Sequence, residues 1–435
     1  MEADAATAAP TLRARLETLR RSETAQAAGL AVATIAQNLI AVAFTVVFTR
    51  ILGTDGYGSL AALINFSVIL IVPGSALQVA AARQGTLGRL GGGGELAATL
   101  DRWTRHIAAG IAVVAVISII AREPLADLVN VDQAWGAAAV PVTAAVWLLL
   151  CVERGLLQAA RAYKPVAASI VGEGVVRIAA SLVLVLAFDV TGAYLGLLVA
   201  WGGMAVVLGR LLRARLGAPA RDAAPHPLRA LARNAAIPTA GLIFVAALQN
   251  VDVIMARHAL DHDTAGVYAA TTVAAKLVVW VAVGIGLWVL PESTRRAAAG
   301  ADPRGVLARA LGLVALVSVP ALAIFAAVPT LLLRVAFGTD YESGDAVLLV
   351  LGAAFALLSC TYVAVQFLLG LHRRAFVLGL LATAAAEPLV LAGADSLKTF
   401  AGRVLVIQGV TAAGTLAAGV LARSDRGPGV PLSRA

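Results

Sequence analysis

Charge is scarce in this chain. Only 14 % of its 435 residues are Asp, Glu, Lys or Arg, against roughly 25 % in soluble domains, and so little charge cannot cover a water-facing surface. Lysine is rarer still: Lys164, Lys276 and Lys398 are the only three, the coding bias of a GC-rich bacterial genome. Cysteine occurs twice, at Cys151 and Cys360, each inside an apolar run, which excludes a disulfide framework and a C-x-x-C metal knuckle. None of the five histidines (106, 226, 258, 262 and 372) falls in the middle of an apolar run, so no histidine proton relay is expected. H-E-x-x-H and G-x-S-x-G are missing, and no Lys-Ser/Thr follows the run from Gly91 to Gly94 to make a phosphate loop. These absences predict that the chain is not an enzyme and that it carries no metal and no cofactor.

What is abundant is hydrocarbon. Hydrophobic residues make up 60 % of the chain and its mean hydropathy is +0.88, so lipid is the expected solvent. A crossing of the ~30 Å hydrocarbon layer takes ~20 mostly apolar residues. Twelve segments qualify: 27–49, 59–82, 104–121, 134–152, 166–188, 191–209, 234–256, 266–290, 306–328, 346–370, 375–392 and 402–422. They are continuously apolar, without the alternation of outer-membrane strands, which predicts an all-α polytopic membrane protein. The polar, arginine-bearing start, Met1 to Glu23, does not read as a cleaved signal.

Basic residues sort by side of the membrane. The N-terminus, the even-numbered loops and the tail hold 26 of the 34 Lys and Arg, the opposite side holds six, and Arg177 and Lys276 lie within segments. The positive-inside rule then predicts a bacterial cytoplasmic-membrane protein with both termini in the cytoplasm. The net charge of +9 reads as this topology signal, and nucleic acid is not an expected partner.

A repeat sits half a chain apart. The first outward hairpin, Leu52 to Ala62, and the seventh-to-eighth hairpin, Leu260 to Ala270, both fit L-x-x-D-x-x-G-x-[L/Y]-A-A at an offset of 208 residues. Two six-helix bundles in parallel orientation follow, an arrangement in which transporters bind substrate between their halves. The expected organisation is a cytoplasmic N-terminus over 1–24, amphipathic enough to lie at the interface, and an N-terminal bundle over 25–209. A basic linker over 210–233, a C-terminal bundle over 234–422 and a tail over 423–435 complete it.

Ionisable residues at mid-bilayer cost ~2.5–3.5 kcal/mol on insertion scales, so each asks for a purpose. Glu173 and Arg177 are spaced i, i+4 and read either as an internal ion pair or as the wall of a wet cavity where Arg177 binds phosphate. Lys276, deep in its helix, reads as a cavity-facing cation or as the partner of a neighbouring acid. Asp252, after Gln249 and Asn250, belongs to a polar cluster or to a water-exposed helix end. Glu387, followed by Pro388, reads as a protonatable coupling site or as an acid kept neutral by burial. Gln37 and Asn38 read as interhelical hydrogen-bond partners.

The stretch from Thr49 to Gly58, with Arg50, Leu52, Gly53, Tyr57 and Gly58, resembles the R-x-L-G-x-x-x-Y-G hairpin of bacterial polysaccharide flippases in the multidrug/oligosaccharidyl-lipid/polysaccharide (MOP) exporter superfamily, MATE-like proteins. Asn250-Val251-Asp252, then Gly266 and Tyr268, resembles that family's seventh-to-eighth hairpin, and Pro291-Glu292 fits the close of helix eight. The resemblance implies two six-helix bundles around a central cavity that opens alternately to each side. It implies a polyprenyl-diphosphate-linked oligosaccharide as cargo, membrane lipid and polysaccharide assembly proteins as partners, and Arg177 and Lys276 as the diphosphate's cations. Glu173, Asp252, Asn250 and Gln249 would line the same cavity. The acids leave open the drug/cation antiporter branch, in which Glu387 or Asp252 exchanges a proton or Na⁺.

Overall fold

A helix that has crossed a bilayer must reverse, and the first reversal falls at Gly53, whose φ of 68° is open to glycine without a Cβ penalty. The computed structural model describes residues 23–220, 226–371, 373 and 375–422. Helix α1 (Glu23–Leu70) carries the Gly53 break and therefore supplies two crossings. Helix α2 (Val72–Thr86) continues the second one after an interruption at Ile71, where Pro73 brings no amide hydrogen to the ladder. Helices α3 (Gly94–Ile120), α4 (Arg122–Val129) and α5 (Ala134–Ala159) follow. Helix α6 (Tyr163–Leu216) breaks at Asp189, φ 49°. Beyond that break Ser181 Oγ donates to the Ala193 carbonyl at 2.6 Å, an approach that residues twelve apart on a straight helix, about 18 Å, could not make.

The second half repeats this order. It runs α7 (Leu228–Ala259), α8 (His262–Ala275), α9 (Leu277–Ala298), α10 (Arg304–Ala327), α11 (Pro329–Phe337), α12 (Asp345–Gly370), α13 (Phe376–Leu391) and α14 (Leu397–Leu421). The short helices α4 and α11 each follow the third crossing of their half, so the repeat seen in the hairpins extends through both halves. Among the described residues nine helices are long and apolar enough to cross a membrane. Two of them reverse at Gly53 and Asp189 and count twice, and the shorter α13 completes twelve crossings in two six-helix lobes.

The buried core draws on both lobes, with Phe48, Trp103 and Tyr194 from the first and Phe355, Phe367 and Phe400 from the second. Leucines such as Leu186 and Leu389 are more than four-fifths exposed, as suits side chains whose solvent is lipid. Two segments read as continuous are interrupted, 59–82 at Ile71 and 266–290 at Lys276. Helix α6 also runs on to Leu216 and α7 begins at Leu228, so most of the expected linker is helical. Residues 1–22, 221–225 and 423–435, which include the expected interfacial stretch, the middle of the linker and the tail, lie outside the described residues.

Candidate transport site

Helix α8 stops at Ala275 and α9 starts at Leu277, with the Lys276 amide donating to Thr272 O at 2.8 Å and the Val279 amide to Lys276 O at 2.9 Å. The break presents the Lys276 side chain to a buried polar cluster. Its Nζ lies 3.7 Å from Asp252 Oδ1 and donates to Asn65 Oδ1 at 3.2 Å, and the ammonium stands 5.3 Å from the Phe355 ring centroid. Asn65 belongs to the first lobe, so this lysine bridges the two. Tyr268 donates its hydroxyl to Asp252 Oδ2 at 2.6 Å, with its ring edge-on to Phe400. Glu387 on α13 is close enough for its charge to act on both Asp252 and Lys276, and Gln408 Nε2, anchored on Leu248 O at 2.6 Å, reaches toward Glu387 Oε1 at 3.5 Å. Asp252 and Glu387 are both 0 % exposed.

Four oxygens in this cluster have no hydrogen-bond partner: Asp252 Oδ1, Glu387 Oε2, Gln408 Oε1 and Thr272 Oγ1. Two carboxylates face one ammonium, so the fully ionised cluster has a formal charge of −1. Buried charge of that kind is expensive unless compensated, and one further positive charge, a proton or a cation, would balance it.

The first lobe has a separate charged centre. Glu173 Oε2 accepts from Arg154 Nη2 at 2.7 Å, while Arg154 Nε donates to Ser169 Oγ at 3.0 Å and Gln37 Nε2 approaches Glu173 Oε1 at 3.4 Å. The acid spaced i, i+4 from Arg177 is thus taken by another helix. Arg177 instead lies over the Phe44 ring, 3.9 Å from its centroid, with its Nε buried and unpartnered. Of the other residues singled out in the sequence, Asn250 bonds back to Ala246 O at 2.7 Å on its own helix, and Gln249 is half-buried beside it. The structure therefore gathers Asp252, Lys276, Tyr268 and Glu387 in one lobe and Glu173 and Arg177 in the other.

Arg154 and Asn65 are the functional candidates that the sequence reading passed over. Arg154 falls beyond the apolar segment 134–152, but it lies inside α5 and is 3 % exposed. The signal was present: a Glu-Arg pair in a helix otherwise apolar from Ala134 onward. Asn65 was one of two amides on the second crossing, with Gln78.

The two repeated hairpins meet each other. Arg257 Nη1 donates to Asp55 Oδ1 at 2.6 Å, His262 Nδ1 lies 3.3 Å from the same oxygen, and Thr54 donates to Asp263. Arg257, one residue past the apolar segment 234–256, is 1 % exposed; its Nε donates to Asn130 O at 3.2 Å, and Asn130 donates back to the Arg257 carbonyl. Tyr341 adds hydrogen bonds to Thr49 O and Gly53 O at 3.2 and 2.9 Å, and Arg50 donates to Val335 O at 3.1 Å. These hydrogen bonds between helices of opposite lobes lie at this hairpin end, and Lys276–Asn65 joins the lobes elsewhere. The copies approach so closely that a Cβ on Gly266 would sit 1.9 Å from Thr54 O. At the start of α8, Asp261 caps the helix by accepting from the Thr264 amide at 3.0 Å, and its hydrogen bonds with Thr264 hold the carboxyl below the usual range.

Twelve crossings in two repeated lobes, joined at their hairpins, match solved structures along nearly the whole chain. The inward-facing form of a multidrug resistance MATE family transporter of the MOP superfamily aligns over 88 % of this chain and 94 % of its own, with a TM-score of 0.73 at 12 % identity. The fold is that of the MATE transporters. The outward-facing form of such a transporter aligns over 90 % of this chain and 93 % of its own, with a TM-score of 0.57 at 13 % identity. A MOP superfamily transporter from Pyrococcus furiosus, described as having a binding pocket of reversed polarity, aligns over 90 % and 93 % with a TM-score of 0.60 at 14 % identity. No family model and no curated protein sequence matches the chain.

Proposed function

We propose that the chain is a flippase of the bacterial cytoplasmic membrane that moves a polyprenyl-diphosphate-linked oligosaccharide by alternating access. The observation that carries this reading is the Lys276 ammonium, held at a helix break deep in the membrane and shared between Asp252 of one lobe and Asn65 of the other. A cation in that position meets whatever lies between the lobes. Arg177 supplies a second cation from the first lobe, and its fork is free of Glu173, which Arg154 engages. The hairpin end is then the outer gate, closed here. The higher TM-score against an inward-facing transporter than against an outward-facing one supports that assignment.

The test is transfer of a lipid-linked oligosaccharide in proteoliposomes. Lys276→Ala and Arg177→Ala should each lower the flipping rate at least tenfold, with Lys276→Arg retaining more activity than Lys276→Ala. Full activity in both alanine variants would remove the anion site.

A second reading, a proton- or Na⁺-coupled antiporter of organic cations, draws on the surplus acid of the Asp252–Lys276–Glu387 cluster and its unpartnered oxygens. It expects dye efflux from energised vesicles that Glu387→Gln abolishes while dye binding persists. Wild-type vesicles with no efflux would dispose of it.

A further inference from the structure

From Leu60 to Ile71 the second crossing is apolar except at Asn65 and Ser67. Ser67 stays within its own lobe, bonding Leu63 O at 2.9 Å and the Tyr194 hydroxyl. Asn65 turns only its Nδ2 back, to Ala61 O at 2.8 Å. That bond orients the amide and leaves Oδ1 to accept from Lys276 Nζ at 3.2 Å, across the join between the lobes. The bond lies deep. Twelve residues at 1.5 Å each put Asn65 about 18 Å along the helix from the Gly53 reversal.

On the second-lobe side the ammonium is held by groups of its own lobe. Asp252 Oδ1 stands 3.7 Å from Nζ, the Phe355 ring centroid lies at 5.3 Å, and Tyr268 occupies the other Asp252 oxygen at 2.6 Å. The three N–H groups of a lysine thus have three partners: a carboxylate, an aromatic face and the Asn65 oxygen. The first two travel with Lys276 when the lobes part. The third is lost, because beyond about 3.5 Å no hydrogen bond remains.

Asn65 is also the partner that an anion can replace. Asp252 and Glu387 repel an anion on their side of the ammonium, and the side toward the first lobe is occupied only by a neutral amide oxygen. A phosphate oxygen bonds the same N–H more strongly, since charge on the acceptor shortens and roughly doubles the interaction. We propose that Asn65 is a latch: it holds the Lys276 N–H that the cargo's diphosphate takes, and its displacement releases the lobes from each other in mid-membrane. This deepens the reading of Lys276 as the cation for the diphosphate and rests on it. The unloaded carrier is tied at the hairpins and at Asn65, and cargo undoes the deeper tie.

Farnesyl diphosphate, a short polyprenyl diphosphate, is the probe for the full chain in detergent. Spin labels replace Leu87 and Ala299, exposed residues at the ends of α2 and α9 in opposite lobes, in a Cys151→Ala, Cys360→Ala background. In wild type the probe should shift the distance between the labels. Asn65→Leu should show the shifted distance without probe and bind it about threefold more tightly, because no fraction of its sites is latched. Asn65→Asp sets a carboxylate against the ammonium and should bind the probe several-fold more weakly, with no shift. Adding Lys276→Met to Asn65→Asp should free the lobes again, which a general disturbance of packing would not do. Asn65→Ala replaces Asn65→Leu if the latter elutes as aggregate. Probe binding that Lys276→Ala removes, with Asn65 variants that bind and move as wild type does, overturns the latch and leaves the anion site standing. A wild type that does not bind the probe overturns both.

Discussion

Arg154→Ala is expected to destabilise the protein by about 3–5 kcal/mol, the usual consequence of stranding one member of a buried ion pair. The Glu173 carboxylate would keep only the 3.4 Å approach of Gln37, because Arg177 one turn along is occupied over Phe44. Thermal unfolding of the purified protein in detergent is the measurement. Removing both charges, as in Arg154→Met with Glu173→Gln, should recover most of the loss, since a neutral pair of similar volume leaves nothing uncompensated. An Arg154→Ala protein as stable as wild type would mean that Arg177 takes over the acid, and Arg154 would then be dispensable to this centre.

Gly266→Ala should part the two hairpins. The added carbon meets backbone, the Thr54 carbonyl, and not the yielding tip of a side chain, so the lobes must shift to admit it, at a cost of at least about 1–3 kcal/mol. Cysteines placed at 54 and 263, whose native side chains are hydrogen-bonded, report the separation in a background without Cys151 and Cys360. Their crosslinking yield should fall several-fold in the Gly266→Ala protein. Unchanged yield would show that the contact is not what holds this end together.

Much of this architecture was readable before any coordinates. Apolar run length gave the twelve crossings, because lipid tolerates little else, and the 208-residue offset gave the two-lobe plan. The interruptions at Ile71 and Lys276 were harder to see, since a helix may break without any fall in hydropathy; at Ile71 Pro73 was the one clue. The site was half legible. Lys276, Asp252, Glu387, Glu173 and Arg177 stood out because charge within an apolar run is conspicuous. Their partners did not: Arg154 and Arg257 sit near the ends of long helices, where a loop arginine and a buried one look alike in sequence. Which acid meets which base depends on helix rotation, and a one-dimensional pattern leaves that open. The i, i+4 spacing of Glu173 and Arg177 pointed to a pair, but a neighbouring helix offered Glu173 a shorter bond.

Gly58 also comes into near-contact with Gly266, where a Cβ on the former would come within 3.1 Å of the latter's Cα. Were the lobes to pivot at that contact, leverage would do the rest. A tilt of about 10° at that fulcrum displaces ends ~30 Å away, one hydrocarbon thickness, by about 5 Å. The least bulky pair of residues would thus sit where the smallest movement governs the largest aperture.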